Sequence, residues 1–133
     1  MFKIVKEIRD TKGQLRFTRR HIFSTPWFHC YIHRILHQDD DFHLHNHPWT
    51  FLGIILWGGY EERTPKGGSR NRRIGSIGYG GLGYYHKVAK IFGPTTSLFF
   101  TGVKRYDWGY MTSEGFIQNE RYRELKHKNQ LPK

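Results

Sequence analysis

His45 and His47, joined later in the chain by a lone His86, are the residues whose types and spacing most directly support chemistry. The pair lies in the run His45-Asn46-His47-Pro48-Trp49. Side chains on a strand alternate between faces, so residues two apart point the same way. Both imidazoles then reach one metal ion, and an imidazole from a later strand supplies a third ligand. Neutral imidazole suits several metals, so the expected cofactor is one divalent transition metal per chain: Fe, Zn, Ni or Mn, with Cu also compatible. Three protein ligands leave positions open for water or substrate, as in a catalytic site.

Other groups stand close enough in sequence to take part. His43 shares the face of His45 and His47 if the strand is regular, which makes it a further ligand, a pocket base or a surface histidine. Asp41 is one more step along that face, where it either orients an imidazole or simply ends a loop. Glu62 shares parity with Tyr60. If Tyr60 faces inward, Glu62 is a buried carboxylate near the metal, a substitute ligand or a candidate general base; a one-residue slip would substitute Glu61. Tyr110, two residues after Trp108, offers a hydroxyl on that tryptophan's face. The candidate catalytic groups are thus Glu62, His43 and Tyr110. His33 and Arg34 lie on opposite faces of one strand, so at most one of them enters the pocket; an inward Arg34 would clamp a carboxylate or phosphate, and an outward one is ordinary surface.

The elements that must carry these residues read as strands. Residues 3–9 and 15–23 alternate about a turn at 10–13. Residues 29–37 place His29, Tyr31, His33, Ile35 and His37 on one face. Residues 43–47 and 50–57 form a strand interrupted near Pro48, which cannot donate to a ladder. Gly58-Gly59 permits a sharp reversal into residues 60–64, and 65–69 close a hairpin. Residues 84–92, 96–101 and 107–111 complete the set, and 119–128 is the one helical segment. Eight to ten short strands with regularly spaced turns predict an all-β barrel or sandwich. The aromatics Trp49, Phe51, Trp57 and Trp108 are expected in its core, and Cys30 as a small buried hydrophobe.

At 133 residues the chain is long enough for one domain with a substantial core. We expect a barrel domain over 1–118 and a basic tail over 119–133. No apolar run approaches the ~18 residues of a membrane span. A single cysteine, Cys30, cannot form an internal disulfide, so a cytoplasmic location is the expectation. Twenty-two Lys and Arg against eleven Asp and Glu give a net charge of +11. The excess gathers at Arg19-Arg20, at 70–73 and in the tail. Such a field attracts anionic partners; no nucleic-acid motif accompanies it, so nucleic acid is not the favoured partner. A small anionic ligand is favoured, and the aromatic strands predict a homodimer.

The histidine spacing resembles the two motifs of the cupin superfamily, G-x5-H-x-H-x3,4-E-x6-G and G-x5-P-x-G-x2-H-x3-N. His45, His47 and Gly58 fall in register with the first, and Gly75, Gly83 and His86 with the second. Asp39, Gly81 and Lys90 replace the first glycine, the proline and the final asparagine. Phe51 stands where the ligating glutamate is usual. More narrowly, His33-Arg34-Ile35-Leu36, Asp41, His45 to Trp49, Gly58-Gly59-Tyr60 and Trp108-Gly109-Tyr110 resemble a group of short bacterial and phage cupin-like proteins. The resemblance implies a double-stranded β-helix, or jelly-roll barrel, with a short helical or irregular C-terminal tail. It implies metal ligation by His45, His47 and His86. A neutral three-histidine set is similar to that of cupin-type thiol and diketone dioxygenases, which bind ferrous iron. An oxygenase or isomerase acting on a small polar or anionic molecule is the implied activity; a non-catalytic ligand-binding or assembly module is the alternative.

Overall fold

Period-two alternation and glycine-bearing turns divide the chain into short antiparallel strands. The computed structural model describes residues 2–39, 43–81, 83–105 and 107–132, so Asp41 lies outside the described residues. In order come β1 (Ile4–Arg9), β2 (Leu15–Ser24), β3 (Phe28–Ile35), β4 (Leu44–His45), β5 (Phe51–Trp57) and β6 (Gly59–Thr64). They are followed by β7 (Gly68–Arg73), β8 (Ile77–Gly80), β9 (Lys87–Ile91), β10 (Thr95–Gly102), β11 (Gly109–Thr112), β12 (Gly115–Gln118) and the helix α1 (Asn119–His127). The sequence predicts eight to ten strands; the described residues form twelve. The strand expected over 43–57 is two, β4 and β5, and β7, β8 and β12 are additional; they are only four to six residues long, and β7 carries no hydrophobic residue.

Six strands pair in the order β1-β2-β3-β10-β5-β8. Two three-stranded sheets, β12-β11-β4 and β7-β6-β9, are joined edge to edge by a bridge between His45 and His86. The result is two facing layers, an all-β jelly roll. On the inner face of the large sheet, Phe51, Gly53 and Ile55 of β5 lie beside Ser97 and Phe99 of β10 and His33 and Ile35 of β3. The opposite parity faces outward. There Ile32, Leu98, Ile54 and Ile77 form one cross-strand row, and Cys30, Phe100, Leu52 and Tyr79 another.

Trp57 departs from its expected place in the core and is 68% exposed. Thr96 pairs with Trp57 while the adjacent Ser97 pairs with Ile55, so Leu56 is an extra residue in the ladder. That bulge transfers Trp57 to the outer face. Immediately after it the chain crosses between layers through Gly58, at φ 78°. A Cβ at Gly58 would lie 2.5 Å from the Pro94 carbonyl oxygen, so no other residue fits this crossing. The fully buried Thr95 hydroxyl secures it by accepting from the Gly59 amide at 3.0 Å.

Gln118 caps α1 by accepting hydrogen bonds from the Glu120 and Arg121 amides. Glu120 in its first turn and Lys126 and His127 in its last complement the helix dipole. The helix presents one buried residue, Tyr122, which stacks on Tyr110 of β11 at 3.6 Å between ring centroids. The predicted tail is therefore seated on the barrel. Among the described residues, no helix is long and apolar enough to cross a membrane.

Candidate metal centre

Backbone pairing brings the three histidines together. His45 and His86 exchange both amide–carbonyl hydrogen bonds, each 2.9 Å, which sets the two residues directly opposite. The fully buried Asn46 then locks the backbone between His45 and His47. Its amide donates to the Gly109 carbonyl at 3.0 Å, and its side-chain oxygen accepts from the Gly109 amide at 2.8 Å. One ligand atom from each of His45, His47 and His86 lies within 4.8 Å of the others. His47 Nε2 and His86 Nε2 face each other at 3.0 Å.

The orientation of His86 has a visible cause. Its Nδ1 donates to Glu62 Oε2 at 2.7 Å, leaving Nε2 free of that bond and turned toward His47. The other carboxylate oxygen of Glu62 accepts from Arg72 Nε at 3.2 Å, Arg72 Nη2 at 3.0 Å and the Tyr84 hydroxyl at 2.8 Å. Arg72 Nη1 in turn donates to the Ile77 carbonyl at 3.0 Å. Gly78 leaves the space for this guanidinium, since a Cβ there would come within 3.2 Å of it. Burial pushes the Glu62 carboxyl upward, but the hydrogen bonds from His86 and Tyr84 and the Arg72 charge outweigh it, holding the pKa at about 2. Burial, reinforced by His86 and His45, pushes the His47 imidazole well below its usual range, keeping it neutral and able to ligate.

The donor set fits a divalent transition metal: three imidazoles converge and a buried carboxylate orients one of them. Phe51 adds no ligand. It packs parallel to His86 and edge-on to His47, with centroids 6.3 and 5.3 Å away. The cluster opens into a cavity of about 390 Å³ between the layers. Phe17, Trp49, Phe51, Phe99, Trp108 and Tyr110 supply aromatic wall, so three rings expected in a closed core line a space instead.

The remaining candidates separate. Glu62 and Tyr60 face the cavity, whereas Glu61 accepts from Ser69 at 3.0 Å outside it. Tyr110 lines the cavity with its ring 6.0 Å from that of His45. His43 turns away: its Nδ1 meets the Tyr122 hydroxyl of α1 at 2.9 Å, and it does not line the cavity. His33 enters the cavity and Arg34 is exposed. Three participants escape sequence reasoning: Arg19, Arg72 and Tyr84. For Arg19 a signal existed, since it shares strand parity with Phe17.

No protein-family model matches the chain, and no curated protein matches it in sequence. Solved structures do match. The polyketide cyclase RemF from Streptomyces resistomycificus is similar with TM-score 0.65 and 18% identity, over 99% of this chain and 94% of that one. A cupin-2 domain from Rhodospirillum rubrum is similar with TM-score 0.64 and 13% identity, over 86% and 78%. HppE in its FeII form is similar with TM-score 0.60 and 15% identity, over 75% of this chain and 56% of its own.

Proposed function

We propose, taking as premise that this chain has the cupin fold, that it holds one divalent transition metal on His45, His47 and His86. With that metal it acts as an oxygenase or isomerase on a small polar or anionic molecule. The observation that carries the reading is the convergence of three imidazoles at a cavity, with Glu62 fixing His86 from behind. The FeII form of HppE, similar in fold, supports a transition metal. A bound metal supplies Lewis acidity at its open positions.

The chain's own residues then set what that acidity does. Glu62 is engaged by Arg72, Tyr84 and His86, so it acts through His86 as a positioning residue. Phe51 contributes no charge where a carboxylate is usual, so the ligand set stays neutral and a bound dication keeps its full charge for an anionic group. Tyr110 supplies the hydroxyl on the cavity wall beside His45. The aromatic lining limits water around the reacting molecule. His43, behind Tyr122, supports α1 and stays outside the chemistry.

The test is elemental analysis of the purified protein, followed by oxygen uptake and product analysis on thiols, diketones and sugars. One ion per chain with turnover of a panel member is the expected result. Failure to retain a divalent ion at micromolar free metal overturns the reading. A loaded protein inert across the panel moves the assignment to a non-catalytic binding module.

We further propose that the outer face of the large sheet pairs with a second copy. Two cross-strand rows put seven apolar residues around the buried Cys30 on one four-strand face, with Leu52, Ile77 and Tyr79 exposed. Contiguous apolar surface of that extent is unusual on a monomer. Sedimentation at micromolar concentration should give a dimer, and Leu52→Lys should shift it toward monomer. A monomer at high concentration in the parent protein sinks this assignment.

A further inference from the structure

The cavity carries more cationic charge than its own carboxylates balance. Lys6, Arg16, Arg19, Arg72 and Lys104 line it, against Asp39 and Glu62. Arg72 is paired with Glu62 at 3.0 Å, and Arg16 stands 3.9 Å from Asp39. Arg19 has no such partner: among the described residues, no carboxylate lies within ion-pair distance of it. It is nonetheless half-buried on the cavity wall.

Arg19 is also held in place. Its Nε donates to His33 Nε2 at 2.9 Å, and His33 is itself buried and stacked on Phe99 at 4.2 Å. The guanidinium carbon lies 4.9 Å from the Tyr31 ring centroid and 5.6 Å from that of Trp49. Trp49 stacks on His47 with centroids 4.8 Å apart. The guanidinium and the metal-site imidazole thus pack against the same indole. With Nε occupied, the two terminal nitrogens remain as a planar fork, the geometry that grips an oxyanion through paired hydrogen bonds.

We propose that Arg19 is the recognition residue for an oxyanion, a carboxylate or phosphate, carried on an aromatic or apolar body that fills the cavity toward the three histidines. This names the substrate class of the site above and rests on that reading. Rim residues Lys6 and Lys104 add to the field that draws such an anion in. His33 acts through Arg19, holding the fork in one orientation. Phe17, Trp49, Phe51 and Phe99 supply flat surface for the ligand body.

The probes are phenylacetate, its neutral isostere phenylacetamide, and phenylphosphonate, titrated calorimetrically into metal-free and zinc-loaded full-length protein. In metal-free protein the anions should bind and phenylacetamide should bind at least tenfold more weakly. Arg19→Met should cost the anions about 10- to 100-fold, the usual worth of a charged hydrogen-bonded pair, with no change for the amide. Arg19→Lys, which keeps the charge but loses the fork, should show a smaller loss and guards against misfolding of the methionine variant. Phenylphosphonate binding tighter than phenylacetate, with the same dependence on Arg19, assigns a phosphate. Equal binding of acid and amide, anion affinity unchanged in both variants, or no binding at all overturns the proposal. Zinc retained without Arg19-dependent binding rejects this inference and leaves the metal reading standing; Arg19-dependent binding in a protein that retains no metal does the reverse.

Discussion

His47→Ala is expected to abolish stoichiometric metal retention. The three imidazoles form a nearly equal triangle, with ring centroids 4.9, 5.1 and 5.3 Å apart, and His47 Nε2 lies 3.0 Å from that of His86. Removing an outer partner of a ligating histidine typically weakens metal binding ~10- to 100-fold, and removing the ligand itself should exceed that. With Phe51 offering no donor, no neighbouring side chain takes over. Elemental analysis after dialysis against micromolar zinc should give one ion per chain in the parent and close to none in the variant. His43→Ala, whose histidine bonds to Tyr122 outside the cavity, should retain the parent stoichiometry. Full zinc in His47→Ala would mean that the ligand assignment is wrong.

Arg72→Met should produce the largest loss of stability among single substitutions near the site. The pair it breaks is nearly solvent-free, with Arg72 and Glu62 side chains only 6% and 3% exposed. Removing one partner of a buried ion pair costs about 3–5 kcal/mol, because the other charge is left uncompensated. That is a large share of the ~5–15 kcal/mol by which domains are stable. Urea denaturation of metal-free protein measures it. Adding Glu62→Gln to Arg72→Met should recover part of the loss, since no charge is then stranded. Acid should act on the same carboxylate. Its folded pKa of about 2 lies below the unfolded value, so its stabilisation is complete above roughly pH 4.3 and declines as pH falls toward 2. A loss below 1 kcal/mol in Arg72→Met would show that the pair is inessential to the fold.

What could be read from the residues alone divides along physical lines. Strand alternation marks His45 and His47, Tyr60 and Glu62, and His33 and Ile35 as sharing faces, because the period of two is a local property. The histidine cluster was legible for that reason and because two separate motifs fell into register. The Trp57 bulge was not, since the extra residue at Leu56 exists only relative to the pairing partner Thr96. Charge was the most misleading cue. Arg19 and Arg72 sit in runs that read as solvated surface, yet one lines the cavity and the other is buried against Glu62. An arginine enters a barrel when another strand supplies its partner, and that partner is invisible from its own neighbours. His43 shows the converse: parity placed it with His45, whereas the contact with Tyr122, a residue of the distant α1, decides where it points.

The stacking of Trp49 on His47, nearly parallel at 6° between planes, gives the molecule an optical property. An indole in contact with a ligating imidazole senses electron withdrawal when a cation is bound, and energy transfer when that cation has a partly filled d shell. Trp108, 6.1 Å from His45, sits near the same centre, while Trp27 and Trp57 are exposed and far more hydrated. Excited at the indole band, the protein should therefore emit in two populations, a red-shifted one from the exposed rings and a bluer one from the cavity. Only the bluer band should dim on loading. The same ring borders Arg19, so a ligand in the cavity perturbs that band too, and metal and ligand occupancy both become readable in unlabelled protein by its own light.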